Sequence, residues 1–259
     1  MNPAFLQENI QAWGGSSGLP LFVYEEECPS TNLTARQMGL AGAPSGSLAA
    51  AERQTAGRGR KGRAWESPEG ANIAMSLVIR PERPFGDWPQ LTLLGALAVA
   101  RCLKALGAEP GIKWPNDLQL SGRKCCGILT ESFPGREPFA VMGIGINVKR
   151  AAKTAEVAAL STSLEEEGFV TEREPLILAV RREMGLLLAQ WERAGSLAPF
   201  KEEYEAFLLW KQERVRLTDA AGSIREGTLA GIREDGWLRI LSPSGEEDCF
   251  GGELSLRQA

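Results

Sequence analysis

The segment from Arg53 to Arg63 constrains this chain more than any other. It holds Arg53, Arg58, Arg60, Lys61 and Arg63, no acidic residue, and glycines at 57, 59 and 62. Glycine lets backbone N–H groups turn toward a ligand and lets the main chain approach it closely. Arginine offers a planar fork suited to phosphate or carboxylate. The loop reads as a mobile anion grip; taken alone it reads equally as a solvated basic turn. It also spells the Gly-x-Gly-x-x-Gly of a dinucleotide-binding fold. That fold needs a helix after the glycines, whereas residues 72–79 alternate as a strand. A loop between two strands rules that fold out.

Composition narrows the chemistry further. The chain has 259 residues and no histidine. Ser-His-Asp and Cys-His mechanisms, and any histidine general base, are therefore excluded, and a metal site of the zinc kind is not expected. Five cysteines stand at 28, 102, 125, 126 and 249 without a Cys-x-x-Cys pair. They read as free thiols in a reducing compartment. A net charge of −4 with 43% hydrophobic residues describes an ordinary globular protein without the basic face of a nucleic-acid binder. Residues 1–11 lack the basic start of a signal peptide. No run reaches the roughly 18 apolar residues of a membrane span; residues 91–106 are interrupted by Arg101 and Lys104. A cytoplasmic location is expected.

Patterning predicts strands at 19–24, 47–52 and 72–79, with a helix at 33–40 that Ser30 or Thr31 caps. A helix at 91–106 should end at Gly107. A hairpin should follow, 118–120 and 124–131 around Ser121-Gly122, and then a strand at 139–148. Thr171-Glu172-Arg173-Glu174 reads as a capping box opening a helix to about residue 193. A last helix is expected at 199–210. Short strands at 215–217, 224–232, 237–241 and 247–250, with glycine turns at 222, 236 and 245, suggest a small SH3-like β-barrel. Two domains follow, 1–210 and 211–259.

Two further segments carry chemistry. In Lys113-Trp114-Pro115-Asn116-Asp117, proline biases Trp114 away from helix. Asn116 and Asp117 then sit at a strand end, either as an Asx-type turn or as groups that bind a metal or orient an amine. Lys124, opening the return strand, is either solvated or placed to neutralise developing negative charge. In Gly143-Ile144-Gly145-Ile146-Asn147, the glycines mark close approach of another backbone or a ligand. Asn147 has the donor and acceptor for an adenine edge; the bland reading is a turn-forming residue after a core strand.

In this order the motifs resemble biotin–protein ligase. The resemblance rests on Ser30-Thr31-Asn32, residues 54–62 (Gln54 to Gly62), Trp65, Lys113 to Asp117, Arg123-Lys124 before Gly127-Ile128-Leu129, Gly143 to Asn147, and residues 251–257. It covers almost the whole chain, roughly residues 20–257. It implies an α+β fold: a mixed β-sheet flanked by helices, like class II aminoacyl-tRNA synthetases, with a small C-terminal barrel.

The implied reaction attaches biotin to a lysine of a biotin carboxyl carrier domain. Biotin's carboxylate attacks the α-phosphate of ATP, with magnesium, to form biotinyl-5′-AMP; the lysine then displaces AMP. Ser30, Thr31, Asn32 and Gln54 should line the biotin pocket, and the backbone at Gly57, Arg58 and Gly59 should close it. Arg58 and Arg60 should meet carboxylate or phosphate. Trp65 should cover the adenine and Asn147 should read it. Lys124 should contact the reacting groups, and Asp117 should orient the acceptor lysine or magnesium. Lys113, Asn116, Gly127, Gly143 and Gly145 complete the expected ligand site. A homodimer follows by analogy. The pattern begins near residue 20, so the winged helix-turn-helix of some relatives is not expected, nor DNA as a partner. The alternative is a lipoate or octanoate transferase of the same fold, against which the Gly-Arg loop and Lys-Trp-Pro-Asn-Asp argue.

Overall fold

The computed structural model describes the chain except residues 12, 14–17, 67, 152–153, 220–221, 251–254 and 259. The first four residues of the C-terminal motif, 251–254, therefore lie outside the described residues.

A seven-stranded mixed sheet organises the fold. Its strands are β1 (Phe22–Cys28), β2 (Leu48–Gln54), β3 (Asn72–Ile79), β4 (Gly111–Lys113), β5 (Asp117–Leu120), β6 (Arg123–Phe133) and β7 (Phe139–Asn147), in the order β1-β2-β3-β7-β6-β5-β4. Only β1 and β2 run parallel; the other neighbours are antiparallel. Side chains alternate faces along each strand. On β3 and β7, Ile73, Met75, Leu77, Ile79, Ala140, Met142, Ile144 and Ile146 all belong to the main hydrophobic core. The long helices α3 (Gln90–Ala105) and α5 (Arg173–Ala194) cover that face with Leu91, Leu94, Leu97, Val180, Met184 and Leu187.

The other face is divided. Helix α2 (Thr31–Leu40) packs Ala35 and Met38 on Ala49, Val78 and Val141. Beyond the helix N-terminus, the same face carries Ser76, Ala74 and Asn72 on β3 and Gly143, Gly145 and Asn147 on β7. The strand period thus delivers small and polar residues to one open area beside a helix start.

Helices α1 (Pro3–Asn9), α4 (Ala155–Leu160) and α6 (Lys201–Phe207) complete this part. After them comes an antiparallel sheet of β8 (Arg214–Thr218), β9 (Ile224–Ile232), β10 (Leu238–Ser242), β11 (Gly245–Cys249) and β12 (Ser255–Gln258), in the order β11-β10-β9-β8-β12. Its Val215, Leu217, Leu229, Leu238 and Ile240 join the main core. Trp114 Nε1 donates to Gly236 O at 3.2 Å and Leu209 N to Ile112 O at 3.0 Å, tying the second sheet to the β4–β5 end of the first.

Several local expectations change. Ser30 holds the N-cap position of α2 but makes no side-chain cap bond. Thr31 is turned inward instead, with Gln54 Oε1 accepting from its N–H at 2.9 Å. No capping box forms at α5: Glu172 is the N-cap, the Thr171 hydroxyl turns to Glu172 O, and the Glu174 carboxylate accepts from Asn2 N. The last helix of this part stops at Phe207, because Leu208 takes extended backbone with φ −68° and ψ 117°; Trp210 and Gln212 beyond it take positive φ of 63° and 67°. The first strand lies at Phe22–Cys28, displaced from 19–24 by its pairing with β2. Neither α1, α4 nor strand β12 is evident from patterning. Ser121 and Gly122, with φ of 49° and 76°, form the expected tight turn between β5 and β6. Among the described residues, no helix is long and apolar enough to cross a membrane.

Candidate active site

The open area on the sheet is the floor of a cavity of about 320 Å³. That falls in the range of small-molecule sites. Its lining brings together most of the residues singled out in the sequence: Ser30, Thr31, Asn32, Gln54, Arg58, Gly59, Arg60, Trp65, Asn116, Asp117, Lys124, Gly127, Gly143, Gly145 and Asn147. Gly57 and Lys113 are not on the wall. Gly57 lies behind it, where its carbonyl accepts from Trp65 N at 2.9 Å. A Cβ at Gly57 would come within 2.5 Å of the Trp65 carbonyl oxygen, so glycine lets the two ends of the loop meet.

Strand register builds the floor in rows. Ala74, Gly145, Gly127 and Asp117 are cross-strand partners in series on β3, β7, β6 and β5. The first three are small, so they form a smooth patch, and the Trp65 ring lies on it. A Cβ on Gly145 would overlap the Trp65 indole, and one on Gly127 would meet Trp65 at 3.1 Å and Lys124 Nζ at 2.9 Å. The next row is Ser76, Gly143 and Leu129. Here the missing Cβ of Gly143 makes room for the Asn32 side chain. Gly143 and Asn147 are four residues apart on one strand, or about 13 Å at the usual rise.

The Gly143 end is a closed polar network. Ser76, fully buried, shares its hydroxyl between Thr31 Oγ1 and Asn32 Oδ1, both at 2.7 Å. Thr31 Oγ1 donates to Gln54 Oε1 at 3.2 Å. Asn32 Nδ2 donates to Glu131 Oε2 at 2.6 Å. Buried polar groups so satisfied are held in one orientation.

The other end is ionic. Lys124 Nζ lies 2.6 Å from Asp117 Oδ1 and 5.4 Å from the Trp65 ring centre. Arg60 donates to Asn116 Oδ1 at 2.8 Å. Burial lowers the Arg60 pKa and the Asp117 charge opposes that shift. Lys113, beside the Trp210 ring at 5.9 Å, is pushed down to about 8 by burial and then by the charge of Arg257. Cations crowded around one carboxylate favour an incoming anion. The covering loop folds on itself: Gly59 N donates to Arg63 O at 2.7 Å, and Lys61 and Gly62 turn with φ of 58° and 70°. Arg58, Arg60 and Arg63 of that loop reach the cavity. Its return is anchored at Gly70 N, which donates to Glu52 Oε1 at 2.8 Å. Burial pushes the Glu52 carboxyl up, but hydrogen bonds and charge from Arg173 and the Met1 ammonium outweigh this and hold it at about 2.

At the far end of the floor, Asn147 Nδ2 donates to Thr162 O at 2.9 Å, which engages one of its two amide hydrogens within the protein. The cysteines take no part. All five are buried, and burial raises Cys125 to about 12 and Cys126 well above its ordinary value, so both are inert thiols. The sequence reading missed Ser76, Glu131 and Glu52, and named Arg63 only as one of the cations of the basic loop. Ser76 carried a signal, since it shares a strand face with Ala74 and Asn72.

The comparisons agree with this geometry. Residues 25–147 match the model of the biotin/lipoate A/B protein ligase family. The bifunctional ligase/repressor BirA of Bacillus spizizenii is 34% identical over 240 residues, covering 90% of this chain and 73% of that protein. The biotin–[acetyl-CoA-carboxylase] ligase of Mycobacterium tuberculosis is 34% identical over 235 residues, covering 88% and 86%. A biotin protein ligase from Aquifex aeolicus, solved in complex with biotin and ATP, superposes with a TM-score of 0.79 at 28% identity and covers 92% and 99%. The chain belongs to the biotin–protein ligases, enzymes of the biotin/lipoate ligase family.

Proposed function

We propose that this protein activates biotin with ATP as biotinyl-5′-AMP and transfers the biotinyl group to a lysine of a biotin carboxyl carrier domain. The observation that carries the reading is the pairing of two unlike ends in one cavity. A fixed hydroxyl and amide cluster at Gly143 suits a small polar ring, and a cation cluster at Gly145 and Gly127 suits phosphate.

In this reading Ser30, Thr31, Asn32 and Gln54 hold the ureido ring and direct the carboxylate toward Lys124. A carboxylate oxygen attacks the α-phosphorus, the bond to the bridging oxygen breaks, and pyrophosphate leaves with the electron pair. Lys124, Arg58 and Arg60 offset the charge that builds on the phosphoryl oxygens. Lys124 reaches that phosphate by giving up Asp117. Asn116 orients Arg60, and Trp65 with Asn147 bounds the adenine. Lys113 adds positive potential from behind the wall. The carrier amine then attacks the anhydride carbonyl, AMP departs, and the amine loses a proton as the amide forms. Asp117, released from Lys124, is placed to orient that amine. No covalent enzyme intermediate is needed; the residues position reactants and exclude water.

Magnesium enters as part of the nucleotide substrate. Among the described residues no group of three or more His, Cys, Asp or Glu side chains is placed to hold a metal ion, and Glu66 and Asp117 are the only acids in the described lining. Phosphate oxygens and water would supply most of its ligands.

We read residues 1–210 as the catalytic domain and 211–259 as an SH3-like barrel, on the five short antiparallel strands that follow the helices. The net charge of −4 favours a ligase without repressor action. The test is direct. Protein, biotin, magnesium–ATP and a carrier domain should give a carrier heavier by one biotinyl group, on one lysine, by intact mass and peptide mapping. An unmodified carrier would refute transfer.

A further inference from the structure

Glu131 does not line the cavity, yet it holds a residue that does. It stands on β6 at an exposed position, two residues beyond Leu129. Its carboxylate accepts from Asn32 Nδ2 at 2.6 Å, and Leu129 O lies 3.5 Å from the same nitrogen. An ionised carboxylate and a peptide carbonyl only accept. Both therefore hold the amide NH2 on the β6 side and turn Asn32 Oδ1 toward β3. There it meets Ser76 Oγ at 2.7 Å.

Ser76 is fully buried and has a single proton, with two acceptors at the same distance, Asn32 Oδ1 and Thr31 Oγ1. The orientation of the Asn32 amide decides how that proton is shared. If the amide flipped, its NH2 would face Ser76, whose proton would pass wholly to Thr31 Oγ1. Thr31 would then present its own proton and lone pairs differently, to Gln54 Oε1 at 3.2 Å and to the cavity it lines. The relay cannot relax by moving, because Asn32 sits in the notch left by Gly143.

We propose that Glu131 is a positioning residue for ligand recognition. Acting through Asn32 and Ser76, it sets the hydrogen-bond polarity of the hydroxyl and amide cluster that reads the ring of the substrate. The proposal deepens the biotin reading of this cavity and rests on it. It assigns a specificity role to a surface carboxylate outside the site, and a hub role to a serine hidden beneath it.

The test is an exchange of the two partners' polarity. Asn32→Asp sets two carboxylates face to face and should weaken biotin binding by about tenfold or more, as a buried unmatched charge does. Glu131→Gln supplies an amide that can accept or donate, and should raise the KM for biotin about three- to tenfold, a loss on the scale of one hydrogen bond, with kcat and the KM for ATP little changed. The double variant Asn32→Asp/Glu131→Gln restores one donor facing one acceptor and keeps an oxygen toward Ser76. It should recover biotin affinity to within about threefold of wild type. Ser76→Ala should raise the KM for biotin without that recovery being possible at Glu131. Calorimetric titration of wild type with biotin comes first: no binding there refutes the biotin reading itself. Biotin binding by wild type with no KM shift in Glu131→Gln, or with losses in the double variant that merely add, overturns the relay. Melting temperatures that fall equally in all variants, with kcat falling and both KM values rising together, would likewise reduce Glu131 to a structural role.

Discussion

The two ends of one strand's cavity face obey different physics. At Gly143 the surroundings are buried and linked by hydrogen bonds among Thr31, Asn32, Ser76 and Gln54. At Gly145 they are half exposed: Lys124 and Asp117 keep 33% and 18% side-chain exposure and pair with each other across a hairpin. The first end is set before any ligand comes. The second is a store of charge whose internal partners a phosphate can replace. The difference teaches how one sheet serves two substrates. On the proposed reading, a rigid network would read a neutral ring and exchangeable ion pairs would accept a reacting anion.

The strongest way to break that division is Lys124→Ala. It should slow biotin-dependent adenylate formation by about 10²- to 10³-fold, the usual cost of one charge-stabilising group. Biotin binding should stay within about twofold by calorimetry, since loss of an interaction made mainly in the transition state leaves ground-state binding alone. Loss of biotin affinity would join the two ends into one.

The glycines sharpen the comparison. Gly143→Ala puts a methyl against Asn32, and Gly145→Ala puts one against Trp65. Although only two residues apart, they should fail differently. Overpacking of this kind costs about 1–3 kcal/mol, or roughly five- to 150-fold in affinity. Gly143→Ala should lose that factor for biotin and Gly145→Ala for ATP, measured as separate KM values.

These contrasts also show how far the sequence could be read. Glycine and polar residues at 143, 145 and 147 could be placed on one strand face by period alone, and strand Asn72–Ile79 was predicted to the residue. Which neighbour each glycine admits depends on register, and register joins residues such as Gly145, Gly127 and Asp117 that lie far apart in sequence. Ser76 and Glu131 were missed for that reason, since their partner Asn32 comes from a helix start on another element. Local signals also gave way to tertiary contacts. Thr171 and Glu174 have the capping-box types, but Glu174 is taken by Asn2. Lys113, grouped by its motif with the ligand site, stands behind the cavity wall beside Trp210.

Effects on stability test the frame around both ends. Glu52 is held at about 2 against an ordinary 4.5. A lowered carboxyl pKa gives stability that is present above the ordinary value and lost as pH falls through the lowered one. Glu52→Gln should therefore unfold at lower denaturant concentration at neutral pH, by about 3–5 kcal/mol for a broken buried pair. Its deficit against wild type should shrink as pH falls from 4.5 toward 2. Lys113 lies at the other extreme. Its pKa of about 8 is below the ordinary 10.5, so its charge opposes folding at neutral pH and the opposition fades as pH rises through that interval. Lys113→Met should melt slightly higher than wild type at neutral pH while using ATP less well. A lower melting temperature would mean that the lysine stabilises the fold.

The central claim is that the rigid end reads biotin so that the charged end can activate it. Biotin-dependent exchange of labelled pyrophosphate into ATP measures that coupling directly. With pure protein, magnesium and ATP, exchange should appear on adding biotin and remain at background with lipoate or octanoate in its place. Exchange with lipoate and none with biotin would contradict the account, as would exchange that needs neither.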